Sequence, residues 1–240
     1  MTESQKIPLK RLAVEATAIV ISILLAFAID AWWEDRNEAD LERRHLVALQ
    51  AEFEQNGKLL RQAREEYEAR YMDALRILEL IEQGTTDIDE AEFERLVRGL
   101  LIGKTIHLES GAFDSLLDAG ELSLIRNEAL RNRLAAWPSY VDEWTEEEAA
   151  VFQFVQEVLI PYLSDWTRLR NISKTFPPFP DGESPPPILP GSGEVVSLIP
   201  LTTSVEFENL VYRRAQGTWH AMRDGETLRA QQSGILGLIR

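Results

Sequence analysis

From Leu12 to Trp33 the chain is nearly continuous in Leu, Ile, Val, Ala and Phe, and only Glu15 and Asp30 put a charge into the run. A helix needs ~20 predominantly apolar residues to cross a ~30 Å hydrocarbon layer, so this segment is long enough to do so. Both carboxylates sit within a turn or so of an end, where they reach the headgroups at modest cost. Trp32 and Trp33 stand where an interfacial aromatic anchor belongs. The segment is therefore read as a transmembrane helix over residues 12–33.

At about 100° per residue, Ala18, Ser22, Ala26 and Asp30 follow one another at four-residue steps, with Glu15 one turn below. Small side chains let helix backbones approach closely, and polar groups beside them can bond across the contact. This stripe is a candidate helix-packing face; the other reading is that Ala and Ser are common in spans and the two acids mark its boundaries. Two rivals concern the whole segment. Ala26-Phe27-Ala28 has the small-x-small form of a signal-peptidase site, which would make the run a cleaved secretory peptide. No Gly or Pro breaks the helix before that site, and the pattern runs straight through it. A buried soluble helix fits less well with a basic cluster on one side and paired Trp on the other.

The 240 residues, 45% of them hydrophobic, suffice for one domain or two small ones. A formal charge of −15 argues against nucleic acid as a partner, because phosphate binding needs a basic surface. The charge is unevenly placed: Lys6, Lys10 and Arg11 against Glu3 make residues 1–11 a basic tip on an acidic body. That tip is expected in the cytoplasm and the body in the periplasm of a bacterium, although Arg36, Arg43 and Arg44 on the other flank oppose this bias. With no cysteine, disulfides, thiol catalysis and cysteine zinc sites are excluded.

Beyond the span, Leu46, Leu49, Phe53, Asn56 and Leu60 open a heptad-like stripe that continues through Ala63, Tyr67, Ala74, Ile77 and Ile81. It predicts a coiled-coil face on one long helix running from about Leu9 to near Gly84, on the order of 110 Å long. Asp87 and Glu90 are spaced as a capping box for a second helix. A short helix is expected from about Ser110 to Ala119, stopped by Gly120, and Asn127 is placed to cap the next. A kink or restart is expected at Pro138 and a bend at Pro161. Residues 171–203 read as a Pro- and Gly-rich connector, and Ser204 begins a last helix weakened by Gly217, Gly225 and Gly234. The domain plan is thus a basic tip over 1–11, the span, a helical extramembrane domain over 34–170, the connector, and a C-terminal helix over 204–240. The fold class is all-α, with the span continuing into a long helix packed by shorter ones in a bundle.

Glu15, fourteen residues, Asp30, one residue, Trp32, then Glu34 and Arg36 form a pattern that resembles the start of a family of uncharacterised bacterial single-span membrane proteins, grouped as a domain of unknown function. The resemblance extends through Leu46, Leu49, Glu52 and Asn56. It includes "AFDSLLDAGELSLIRNEALRNRLAAW", where Phe113, Leu116, Gly120, Leu122, Leu124, Ile125, Leu130, Leu134 and Trp137 fall at motif positions. It covers roughly the first 140 residues well and the remainder loosely. Family members often carry Asn where this chain has Asp30. The resemblance implies a membrane anchor and a helical extramembrane domain, and no activity.

Chemical motifs are sparse. The Gly103-Lys104-Thr105 stretch resembles the end of a phosphate loop, but the earlier glycine it requires is Arg98. Glu42 and His45 have the Glu-x-x-His spacing of di-iron bundles, whereas His107 and His220 lack the matching Glu, so a salt-bridged surface histidine is the expected role. Glu146 to Glu148 lack the Asp/Asn/Gly loop of a calcium site. Ser115, Ser123 and Ser164 lack a nucleophile elbow. Trp137, Tyr140, Trp144, Phe152, Phe154, Tyr162 and Trp166 concentrate in one stretch, which fits a core and leaves room for a ligand pocket. The expectation is a non-enzymatic inner-membrane interaction or scaffold protein without cofactor. Its partners are the lipid bilayer and a second copy or another membrane protein. The alternatives are a ligand-sensing periplasmic bundle acting through a partner and a metal-dependent bundle enzyme.

Overall fold

The structure, a computed structural model, describes residues 9–84, 88–103, 105–172 and 196–240. Residues 1–8 of the basic tip, Asp87, and residues 173–195 of the connector lie outside the described residues. All regular structure among those described is helical.

Helix α1 runs unbroken over Leu9–Gln83. No proline falls within it, and its one glycine, Gly57, faces the Gln232 side chain, which a Cβ there would meet at 2.6 Å. It stops at Gly84, which takes the left-handed φ of +58°. Helix α2 (Glu90–Leu101) buries Phe93, Leu96, Val97 and Leu100, the apolar face of a helix at i, i+3, i+4 and i+7. Its cap is Asp89, whose Oδ1 accepts from the N–H groups of Ala91 at 2.8 Å and Glu92 at 3.1 Å. This corrects the expected start by two residues. Helix α3 (Gly111–Asp118) leads into a 3-10 turn (Glu121–Leu124) through Gly120.

Asn127 caps α4 (Glu128–Phe154) by accepting from Leu130 N–H. The helix continues through Pro138 without restarting: Leu134, Trp137 and Trp144, buried on either side, hold it across the one missing bond. At Pro161 the chain does deform. A π-helical turn (Val155–Leu159) precedes α5 (Ile160–Trp166), widening the helix where a proline cannot donate. A four-residue α6 (Leu169–Ile172) follows, and a 3-10 turn (Ile199–Thr203), which makes the end of the expected connector helical, leads to α7 (Val205–Ile239). Ser204 Oγ accepts from Phe207 N–H as the α7 cap.

Helix α7 is uninterrupted for 35 residues across the glycines expected to weaken it. At one of them packing requires the small residue: a Cβ on Gly225 would lie 3.2 Å from the Trp144 indole nitrogen, so glycine there lets α4 and α7 approach closely. α7 lies antiparallel along α1, with Gln232 against Phe53 and Glu226 against Arg64. The bundle has two apolar halves. One joins Leu49, Phe53 and Leu60 of α1 to Phe113 and Leu116 of α3, Trp137 and Trp144 of α4, and Leu228 and Ile235 of α7. The other joins Ala74 and Ile77 of α1 to Phe93 and Leu96 of α2, Leu159, Leu163, and Phe207 and Val211 of α7.

This arrangement corrects the reading of the heptad-like stripe. Leu49, Phe53, Asn56 and Leu60 are buried and Leu46 is partly so, all by helices of the same chain. The Phe53 and Trp137 rings meet at 4.8 Å. The stripe is an internal seam, with no free surface for coiled-coil pairing with a second copy, because seven-residue periodicity does not say which helix supplies the partner.

Candidate functional site

The apolar segment of α1 projects from the bundle. Every residue from Ala13 to Glu38 is exposed, in the one helix among the described residues that is long and apolar enough to cross a membrane. Glu15, Ala18, Ser22, Ala26 and Asp30 all lie on this free stretch. The Ser22 hydroxyl donates to the Ala18 carbonyl at 2.8 Å, and Thr17 likewise to Ala13 at 2.9 Å, so both hydroxyls are satisfied within their own helix. Trp32 and Trp33 stand side by side with ring centroids 6.4 Å apart, and the Arg36 guanidinium lies 6.0 Å from the Trp32 ring.

The bundle begins immediately after the tryptophans. Arg126, at the turn before α4, donates to the Asp35 carboxylate at 2.6 Å, and its backbone N–H donates to Glu42 at 2.6 Å. His45 pairs with Glu121 at 2.6 Å. The Glu42 and His45 side chains thus turn to separate partners, and among the described residues no group of three His, Asp or Glu could hold a metal ion.

Two turns further, α1 presents two polar side chains to the core. Glu52 accepts from the N–H groups of Ala112 at 2.6 Å and Phe113 at 3.2 Å, capping α3 from another helix. Asn56 clamps the Glu109 backbone, donating to its carbonyl and accepting from its N–H, each at 2.8 Å. Asn56 is thus the anchor of the segment entering α3. Burial raises the Glu52 pKa, partly opposed by the two N–H bonds.

Between the apolar halves runs a buried polar belt that periodicity alone does not reveal. Tyr67 donates a short hydrogen bond to Glu148 Oε1, and Ile106 N–H donates to Oε2 at 3.3 Å. Arg214, almost wholly enclosed, donates to the Leu100 carbonyl at 3.0 Å, to the Ile102 carbonyl at 2.9 Å and to the Thr218 hydroxyl. It thereby closes the C-terminus of α2, where a cation is favoured by the helix dipole. Burial pulls its pKa down to about 10. Burial also raises the pKa of Glu148 and of Tyr67.

The Glu148 shift fixes a pH response. The folded state holds this proton more tightly than the unfolded chain, so protonation favours folding. The group's penalty is present at neutral pH and is relieved as pH falls through the folded pKa toward 4.5. In Glu148→Gln the carboxamide can accept from Ile106 N–H and donate to Tyr67. We expect the stability of the variant relative to the native chain to be greatest near pH 7 and to shrink on acidification, measured by urea denaturation. A difference that is flat in pH contradicts this.

The aromatic pocket of the ligand-sensing alternative does not form as a unit. Trp137 and Trp144 are buried in one apolar half and Phe154 packs in the other with its ring toward Arg213, while Phe152 and Trp166 point outward.

The fold and site define an all-helical bundle carried on a helix whose free end has the length and apolarity of a membrane span. The chain matches no family model, and no curated protein or solved structure matches it.

Proposed function

We propose that this chain is a single-pass protein of a bacterial inner membrane, anchored by residues 12–33, whose bundle serves as a non-enzymatic interaction scaffold on the periplasmic side. The observation that carries this reading is the division of one continuous helix: α1 is fully exposed through its apolar stretch and supplies the core of the bundle beyond it. A helix with these two halves is stable only if something apolar covers the first. The resemblance of the opening and of residues 113–137 to a family of single-span membrane proteins is consistent with the same anchor. The buried Glu52, Glu148 and Arg214 are engaged by backbone and hydroxyl groups, in keeping with structural roles.

N-terminal sequencing of the protein from its native membrane tests retention of the span: the intact segment is expected, and a mature chain beginning at Ile29 overturns the anchor. A C-terminal phosphatase fusion should be active if the bundle is periplasmic, and silence of an intact fusion reverses the orientation.

With the α1 stripe consumed internally, self-association is left to the exposed face of Ala18, Ser22 and Ala26. Changing Ser22 and Ala26 to Ile keeps the span apolar while blocking close approach. Crosslinking in native membranes should give a dimer band that this double variant loses. A native chain that stays monomeric at every concentration removes the pairing.

A further inference from the structure

Although the chain carries a formal charge of −15, the stretch of α7 from Asn209 to Arg223 contains Arg213, Arg214, His220 and Arg223 and no carboxylate. Where this stretch faces α4, a cleft of about 280 Å³ opens between the two helices. Ala150, Val151 and Phe154 form its apolar wall, and Arg213, Gln216 and His220 its polar one. The Arg213 guanidinium lies 4.7 Å from the centre of the Phe154 ring, an arrangement that holds a cation in place by its attraction to the ring face. Among the described residues no carboxylate pairs with Arg213, whereas Arg223 has Asp224 at 2.8 Å. Arg214 borders the same cleft from behind, its charge met only by carbonyls and a hydroxyl. Two guanidinium groups without carboxylate partners, set against the single carboxylate of Glu147, leave the lining of the cleft net positive.

The geometry points to a binding site for a small aromatic carboxylate, its ring against Val151 and Phe154 and its carboxylate on Arg213. The size fits: a cavity of ~150 Å³ accepts benzene, so about twice that holds a ring with its acidic substituent. The charge fits as well. Glu147 also lines the cleft and disfavours a multiply charged anion such as phosphate, while a monoanion meets less repulsion. Planar guanidinium matches a carboxylate through two parallel bonds. The cleft lies wholly within the bundle, so its occupancy does not depend on the span crossing a bilayer.

Titration calorimetry of the full chain in detergent, with phenylacetate as the probe and Arg213→Gln in the same detergent as the matched blank, tests the site. Arg213 is exposed, so the variant keeps the fold. Phenylacetate is expected to bind the native chain at millimolar concentration or below, with affinity falling about tenfold or more in Arg213→Gln. Acetate, which has the charge without the ring, and benzyl alcohol, the ring without the charge, should each bind at least about tenfold more weakly than phenylacetate. No phenylacetate heat from the native chain up to about 10 mM, or equal binding to Arg213→Gln, overturns the site.

Discussion

Trp144→Ala should lower the thermal midpoint of the full chain in detergent by roughly 6–20 °C, the largest change expected from any single core substitution. The side chain is 1% exposed and is among the largest fully buried groups in the bundle. Truncating a buried Trp costs about 3–5 kcal/mol in lost transfer energy and residual cavity. A chain of this size loses ~2–4 °C per kcal/mol. Trp144→Phe should cost far less than volume alone suggests. The indole N–H has no hydrogen-bond partner among the described residues, and its removal lifts a desolvation penalty. The glycines of α7 give the companion measurement. Ala at Gly237, where nothing lies within 4 Å, should gain up to ~1 kcal/mol of helix propensity. The same change at Gly225 should gain nothing, because the new methyl meets Trp144, which is packed too tightly to give way. Equal gains at the two glycines would show that α4 and α7 are not in close contact there.

The same contacts show what a sequence discloses and what it withholds. Local signals were legible: the unbroken apolar periodicity of α1, its stop at Gly84, and the caps Asn127 and Ser204 all depend on residues within a few positions of one another. Asp89 escaped because Asp87 and Asp89 are both competent caps and spacing cannot choose between them. At Pro138 the restart does not occur, since burial on both sides overrides the local rule. The role of Asn56 was legible as a polar interruption of an apolar stripe, but its partner, the Glu109 backbone, lies 53 positions away. Tyr67 and Glu148 are separated by 81 positions and Arg214 and Leu100 by 114, so no periodicity links them. The stripe itself could be read, yet which helix covers it could not, because α7 stands at the far end of the chain and presents an equally ordinary apolar face. The small-residue face of the span remains as the sequence presents it, exposed from Ala18 to Ala26.

The sharpest test of the anchor is a charge placed within that exposed stretch. Leu, Ile, Val and Phe each favour insertion by ~0.3–0.6 kcal/mol at the centre of a span, so the ten such residues between Leu12 and Ile29 supply roughly 3–6 kcal/mol, whereas a central Arg opposes by ~2.5–3.5. Leu24→Arg should therefore weaken membrane retention, and Leu24→Arg with Leu25→Arg should abolish it, moving the chain from the carbonate-resistant pellet to the supernatant. The control lies on the same helix. Val47 is 64% exposed, but it stands fourteen residues beyond Trp33, on the order of 20 Å further along the axis, where α1 already belongs to the bundle. Val47→Arg should leave retention unchanged, since an exposed charge there meets water. Retention of the double Arg variant in the pellet would mean that the apolar stretch is covered by protein and not by lipid. A loss produced equally by Val47→Arg would mean that fractionation was reporting aggregation and not insertion. The contrast between two exposed apolar positions on one helix thus separates the medium around the first from the medium around the second.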